Sequence, residues 1–539
     1  MFLLPGGTAG DSFVLAFPQS IFPRNMTSKI FIVPQGASSV DVTITTLPTA
    51  PDVINTLLTA QPGDVTTFTP KYTLETPVGT VVADVGLRIL TSSPVVINVE
   101  DAGPSNTDAF PVMPTSLLGT EYFAVGFSKT YGLSASFILL VASQDETEVT
   151  VALNKLQNGD TVTLNDVTYD RHDVITVRLN ALQVLQVQAM SDLTGTKVTA
   201  SKPVAAFSGQ NRTYIYGLPG TGLCWSHMSD QLPPRTHWGR SFALITSPRQ
   251  EAGDYYRFVA GWANTNIVLR TSPETAVHLT RAGDFFEYVL ENGTFVYAES
   301  DKPVMVVWIT PSFAGEAPGG DPSLGILAPL EQAESSYVFV SDAAGNYKQF
   351  VAVTVKGAEK GGVQLNSDYL LSYNVAWSPV PETDLVVGIV ELQDLDQRQV
   401  LTLSHVTGHV FGAHVSVRTR CEARSMPLTY GRPMEINQTA HKTPELIPAQ
   451  DVPMRLSKSP AKASEIYGNK IVDVRKTAEN VNYFVTRVHS ACAVMCVRHA
   501  TCWGYNYAPY TTTGNNCELL SGTGLGMVPA DGWLYLSIL

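Results

Sequence analysis

Apolar and polar side chains alternate with a period of two in VDVTITT (40–46), TVTLNDVTY (161–169) and VITVRLNALQVLQV (174–187). A strand with one face on a core and the other in water requires that alternation, because successive side chains point to opposite faces. Turn formers separate such runs, as in NGD at 158–160 and ENG at 291–293. Glycine and asparagine reach backbone conformations there that other residues avoid. No segment in 1–440 carries a long 3.6-residue periodicity with capping residues. The pattern predicts short antiparallel strands, not helices, through this part of the chain.

Comparison of the chain with itself adds a longer period. TSSPVVINVED (91–101), ASKPVAAFSGQ (200–210) and ESDKPVMVVWIT (299–310) each run from small or polar residues through a proline into a β-branched stretch. The expected place for Pro94, Pro203 and Pro303 is the first residue of a strand, where a missing N–H is tolerated. A second shared segment follows each: DAFPVMPTSLLGTEYFAV (108–125), SDQLPPRTHWGRSFAL (229–244) and LGILAPLEQAESSYVFV (324–340). A further strand signal opens each copy, at 40–46, 148–153, 266–271 and, more weakly, 362–367. These predict four units within 1–440, at about 1–128, 129–245, 246–345 and 346–440. The fold class expected is mainly β: tandem repeated antiparallel β-sandwich-like units. A propeller-like closed ring of sheets is the rival arrangement, although propeller repeats are usually shorter.

Composition supports this. Of the 539 residues, 44% are hydrophobic and only 15% charged, which suits half-buried pleated surfaces. Residues 441–539 hold nine Lys/Arg and seven Asp/Glu, a net of +2, so 1–440 carries −15 of the total −13. A nucleic-acid partner, which needs clustered cations, is excluded on that ground. No apolar run approaches the roughly 18 residues of a membrane-spanning helix. The start, MFLLPGGTAGDSF, has no basic region and only a short apolar run, so no signal peptide is present as written.

The text changes at HKTPELIPAQDVPMRLSKSPAKAS (441–464), where four prolines and three lysines read as an extended Pro-rich linker. A small separate domain is expected at 465–539. It holds four of the six cysteines: Cys492, Cys496, Cys502 and Cys517. Cys492 and Cys496 stand at i and i+4, one face of a helix that Ser490 could cap. Four cysteines allow three disulfide connectivities. Structural zinc prefers paired knuckles with two to four residues between the cysteines, and only the first pair fits. Disulfides are the reading adopted, and they imply an oxidising, extracellular compartment. Cys224 and Cys421 are either a third bridge or two buried thiols. Sequons stand at Asn25, Asn211, Asn292 and Asn437, about as many as chance gives.

Two resemblances attach to these residues. Lys202-Pro203-Val204, Phe207-Ser208-Gly209, Asp230 with Leu232-Pro233-Pro234, and Trp238-Gly239 with Phe242 resemble the N-terminal domain family of IgG Fc-binding protein. That resemblance covers about residues 10–430. Residues 466–539 resemble the PAN/apple module: Cys-x-x-x-Cys on a helix, Cys502 leading an aromatic strand, Cys517 with Leu519, and a closing GWLYL at 532–536. It implies a disulfide-stapled α+β domain with Cys492–Cys517 and Cys496–Cys502 bridges, each contributing about 2–4 kcal/mol.

Catalytic constellations do not emerge. His405, His409 and His414 fall within HVTGHVFGAH, read as histidines on a half-exposed strand with His405 and His409 on one face. SQDETEV (143–149) and ELQDLDQ (391–397) are acidic but lack calcium-loop spacing. Nucleophile elbows, zinc-protease and phosphate-loop motifs are missing. Trp503, Tyr505 and Tyr507 alternate, so they share a face that packs on the helix or holds a ligand such as a sugar ring. The expected function is a secreted, non-enzymatic adhesion or recognition protein that takes no cofactor or metal. It would bind glycans or proteins at the cell surface, in mucus or in matrix, which is what both resemblances imply. The alternatives are a structural component of an extracellular coat or mucus, and a β-sandwich hydrolase with dispersed carboxylates. The sequence leaves oligomeric state open.

Overall fold

The structure is a computed structural model that describes residues 9–20, 27–70, 74–102, 107–127, 134–157, 159–215, 225–248, 253–312, 321–341, 348–373, 375–392, 398–419 and 422–427, and short strands between Val474 and Ser537. The chain divides into two compact units, 1–439 and 440–539. The protein is mainly β, in curled antiparallel sheets, and every helix among the described residues is a three-residue 3-10 turn.

In the larger unit one plan recurs. A long strand, Leu87–Ala102, Lys197–Thr213 or Phe295–Thr310, forms the spine of each of the first three sheets. Its first part pairs with a lead strand, Gly10–Leu15, Gly119–Phe123 or Gly239–Ile245. On its other side that part pairs with Val40–Thr46, Thr147–Ala152 or Thr265–Leu269. Its second part changes partners, keeping only one pair to the lead strand, at Val95, Val204 or Val304. There it pairs with Thr27–Pro34, Ser136–Ala142 or Asp254–Ala260. The other neighbour is an axial strand, Thr107–Val112, Ser226–Gln231 or Ser323–Leu327.

The prolines mark the change. Residues 91–94, 200–203 and 300–303 stand opposite Asp11, Thr120 and Arg240 alone, so the register jumps at the same place in each. Pro94, Pro203 and Pro303 therefore lie in the middle of a long strand, not at its first residue. A bulge absorbs the absent N–H and bends the strand, which is why proline is acceptable there.

The fourth sheet system repeats the plan with its spine cut. Val400–His405 pairs with Ser336–Val340 and Val363–Leu365, and Gly412–Thr419 pairs with Lys348–Lys356 and Glu422–Pro427. A shared tyrosine fixes the correspondence. Tyr122 Oη accepts from the Gly119 amide at 2.7 Å and donates to the Val204 carbonyl at 2.7 Å, just past the bend. Tyr337 Oη accepts from the Glu334 amide at 2.9 Å and donates to the Phe411 carbonyl, just past the cut.

Each axial strand leads through a proline and a 3-10 turn into the next lead strand, as in Pro114–Thr115, Pro234–Arg235 and Pro329–Leu330. The axial strands pack one against the next, and the fourth, Glu422–Pro427, returns to the first, so the circuit closes. Apolar side chains continue across the joints. One core runs from Phe13 in the first sheet through Phe137 and Phe207 to Ile309 and Ile326 in the third. Another joins Trp308 to Val380 and Val387 of the fourth. Phe31, Val33 and Val340 bury a smaller patch between first and last. Each such aliphatic or aromatic side chain contributes about 1.5–3 kcal/mol when fully buried.

The smaller unit contains one antiparallel sheet, ordered Val474–Lys476, Asn482–Phe484, Cys517–Ser521, Cys502–Tyr507, Leu534–Ser537. The linker at 441–464 and the helix expected around Cys492 and Cys496 lie outside the described residues.

Glycine makes the turn into each of the first three sheets possible. A Cβ on Gly10, Gly119 or Gly239 would overlap the ring of Pro114, Pro234 or Pro329 respectively. Gly119→Ala is expected to cost roughly 1–3 kcal/mol, the usual penalty of forcing a methyl into rigid packing. Gly36, with open space around its Cβ position, should tolerate alanine within about 0.5 kcal/mol. Urea denaturation of the two variants against the parent checks the difference, and equal midpoints would remove the joint from the account.

Candidate functional site

The buried polar groups of the larger unit concentrate along the axial strands. Asp108 on the first and Ser229 on the second are joined by an Oγ–H to Oδ2 hydrogen bond of 2.5 Å. Ser229 comes close because Gly209 faces it across the ladder, and a Cβ on Gly209 would overlap the Met228 carbonyl. Asp230 accepts from the Ile326 amide of the third axial strand at 2.8 Å and from the Gln231 amide at 2.8 Å. Gln231 in turn accepts from the Met113 amide at 2.8 Å. Three sheets are thereby tied at the axis by side chain to backbone bonds, which are the expensive ones to leave unmade.

Burial dominates the electrostatics. It pushes the Asp108 carboxyl well above the usual carboxylate range, against the lowering effect of the Ser229 hydroxyl and with the neighbouring Asp230 charge adding to the rise. It pushes His227 down to about 4. That imidazole stacks on Phe137, centroids 5.8 Å apart, with Nε2 3.9 Å from Asp108 Oδ2 and thus beyond hydrogen-bond reach. Asp108, His227 and Ser229 are neighbours, yet the hydroxyl donates to the carboxylate and not to the imidazole. A nucleophile needs its base in hydrogen-bond contact, so this trio holds strands together.

Two further carboxyls lie nearby in the first sheet system. Asp101 accepts from Ser28 Oγ at 2.9 Å and is pushed up to about 6 by burial. Glu75, which accepts the Ser20 amide, is pushed up to about 8 by burial, with the Asp101 charge adding to it.

The joints between sheets use separate devices. Val81–Ala83 of the first system adds itself as a strand to Val184–Gln186 of the second, and the Gly86 amide donates to the Leu182 carbonyl at 3.1 Å. Between second and third, Gly195 and Gly283 face each other backbone to backbone, both in the left-handed region at φ +81° and +83°. Arg257 closes that joint. Its buried guanidinium donates to Asp192 (2.7 Å), Glu287 (2.7 Å), Thr194 (2.8 Å) and the Gly126 carbonyl (2.9 Å). Between last and first, Arg398 bonds Glu100 at 2.8 Å over the ring of Phe31.

The residues singled out from sequence fall in three places. Several of the resembling motif residues are packing and joint hardware: Ser208 Oγ accepts the Val125 amide at 3.1 Å and shares its single proton between the Val125 and Phe137 carbonyls within the second sheet system, Trp238 Nε1 donates to the Pro233 carbonyl at 3.1 Å, and Pro234 and Gly239 form the glycine–proline contacts. Asn211 does not suit a glycan. It is buried, its Oδ1 accepts the Ala135 amide at 2.7 Å and its Nδ2 donates to Gln19 at 3.0 Å, so the amide is consumed internally. Asn292 sits in an exposed turn. Asn25, Asn437, Cys224, Cys421, Cys492 and Cys496 lie outside the described residues.

Cys502 and Cys517 begin neighbouring strands, paired with Ser521 and Phe484. On the first of these, Tyr505 and Tyr507 stand opposite Leu536 and Leu534, while the register irregularity between Cys502 and Gly504 falls at Trp503. The histidines do not share one strand. His405 ends one, His409 lies in the turn and His414 is in the next. His405 Nε2 donates to the Glu359 carbonyl at 2.8 Å and His409 Nδ1 is 3.2 Å from Glu359 Oε1. His414 packs on Trp308, and burial holds it near 3. Of the acidic stretches, Asp145 accepts the Ala181 amide and Glu146 pairs with Arg178. Among the described residues no cluster of three or more metal-binding side chains occurs. Arg257 and Arg398 escaped sequence reading because their partners lie 65 and 298 residues away, at no spacing a local motif could reveal.

These features define a β scaffold whose internal polar chemistry serves its own assembly. The IgGFc binding protein family matches residues 108–414, more than half of the chain, and the chain belongs to that family. The matched span starts at the first axial strand and ends in the fourth sheet system. A human protein, IgGFc-binding protein, is 25% identical over 302 residues, which cover 56% of this chain and 5% of that protein's length. Among the described residues no helix is long and apolar enough to cross a membrane.

Buried acids give the fold a characteristic pH response. Glu75 keeps its proton in the folded chain up to about pH 8, against 4.5 for an ordinary glutamic acid. Between those values the folded state binds more protons than the unfolded, so stability falls as pH rises from 5 to 8. His227 and His414, held neutral, act oppositely below their ordinary value of 6.5 and weaken the fold toward acid. Denaturant midpoints should therefore peak in mildly acidic buffer, and Glu75→Gln should flatten the limb between pH 6 and 8. An unchanged slope in that variant would assign the limb elsewhere.

Proposed function

We propose that this protein is an extracellular, non-enzymatic recognition protein that binds other proteins or glycans through the outer surface of its β body. Membership of the IgGFc binding protein family carries this reading. The chemistry of the body agrees with it, since the carboxylates, arginines and histidines described above bond to other groups within and between its sheets. The human relative is named for binding the Fc part of IgG, which makes Fc the first protein to test here. On this reading the body acts as scaffold, in sandwich-like repeats, and 465–539 serves as a PAN/apple-like second module behind a Pro-rich linker. Two such modules on one chain raise avidity when both sites can be reached together. The face of Trp503, Tyr505 and Tyr507 is the candidate surface in the second module, and Asn292 the glycan acceptor best placed on the first.

Biolayer interferometry of the full chain against IgG Fc, with a glycan array and a panel of matrix proteins, tests the function directly. Saturable binding to at least one is expected, and Tyr505→Ala should weaken glycan binding if the second module supplies it. Silence against all three would sink recognition as the role. The compartment has its own check. Intact mass after alkylation without reduction should show all six cysteines masked, and a non-reducing peptide map should give the pairs Cys492–Cys517, Cys496–Cys502 and Cys224–Cys421. Free thiols throughout would overturn the extracellular assignment.

A further inference from the structure

In each sheet system the second strand carries a partner on its far side: Thr66–Phe68, Val184–Ala189, Phe285–Leu290 or Leu385–Leu392. In two systems a further antiparallel strand completes that side. Val81–Ala83 pairs with Val184–Gln186, and Ala376–Pro379 pairs with Val386–Ile389. Phe285–Leu290 has no such neighbour among the described residues, so it ends its sheet.

Side-chain burial records the same difference. Val184, Phe285 and Val387 occupy one position, opposite Val141, Val259 and Thr354. Where the extra strand is present the residue is fully buried, at 0% for Val184 and Val387. Phe285, without it, is 37% exposed, and Val289, two pleats along the same face, is 47% exposed. Between them Glu287 is held by Arg257 at 2.7 Å, and Arg257 also lies under Phe285, 4.9 Å from its ring.

Natural sheets protect an open edge with lysine, proline, a bulge or an inward charge. FFEYVL has no lysine, proline or bulge: its register against Asp254–Ala260 is unbroken, and its one charge, Glu287, is paired with Arg257. We infer that the Phe285–Leu290 edge is a docking site for an extended segment of a partner polypeptide, added antiparallel as the next strand. Its side chains facing Phe285 and Val289 would be apolar and compact, as Val81, Val82 and Ala83 are in the neighbouring system. Backbone ladders supply affinity in this mode and alternate side chains supply selectivity. The inference deepens the protein-binding reading and takes from it only that the partner is a polypeptide.

The probe is a synthetic GTVVADVGL, the sequence of residues 79–87, added to the full chain and followed by hydrogen–deuterium exchange. Amides within 285–290 should exchange several-fold more slowly with the peptide present, and not with its Val82→Pro version, which lacks a ladder donor. Phe285→Lys, shown by its thermal melt to be folded, should lose the protection. Unchanged exchange at 285–290 overturns the site, as does protection confined to 184–189, which would mean exchange with the resident strand. If the chain binds a protein in interferometry while these amides stay unprotected, the edge is wrong and the recognition role survives.

Discussion

Each long strand has to serve two sets of partners, and a ladder cannot turn a corner without giving up hydrogen bonds at the corner. The bulge before Val95, Val204 and Val304 supplies that corner. Proline costs nothing there because the donor it lacks has no acceptor to meet. Upstream of the bend the strand belongs to the outer part of its sheet, and downstream it delivers an axial strand to the centre. The buried tyrosine bonded to the Val204 carbonyl holds the bend. In the fourth system, where the strand is cut, Tyr337 makes the same contact with Phe411. The corner, more than the continuity of the strand, is what the repeat preserves.

From that corner follow the joints. Once axial strands converge, little room remains for side chains where one sheet hands over to the next. Gly10, Gly119 and Gly239 yield that room to prolines, and Gly195 and Gly283 yield it to each other's backbone. Of the polar groups that do enter, Asp108, Asp230 and Arg257 are each tied to a partner in a neighbouring sheet. Removing one partner of a buried charge such as Arg257 would leave the rest unpaired, an effect worth about 3–5 kcal/mol. Such groups hold the register of one sheet on another, which apolar packing alone leaves free to slide.

The strands were legible because a half-buried sheet writes itself as alternation, and the repeats because each proline bulge uses the same residues. Gly209, Asp230, Pro234 and Trp238 stand out in the sequence without showing a role there. Their role is to make joints, which shows only when the sheets are assembled. The prolines lie half a strand from where their sequence pattern places them, since a bulge and a strand start look alike in one dimension. Asn211 satisfies a sequon, yet its burial depends on Gln19 and Ala135, which no local reading brings near. Likewise the exposure of Phe285 becomes meaningful only beside the buried Val184 and Val387, residues whose equivalence rests on three-dimensional register.

The contact of Arg398 with Glu100 spans 298 residues of chain. During synthesis the first sheet system leaves the ribosome long before its last neighbour exists. Phe31 and Val33, which that neighbour covers, wait exposed through the making of everything between. Folding with contacts this distant is slow, and the waiting surface is open to aggregation. That apolar surface thus stays uncovered until the fourth sheet arrives, and a truncation before residue 398 would leave the first sheet without its closing ion pair.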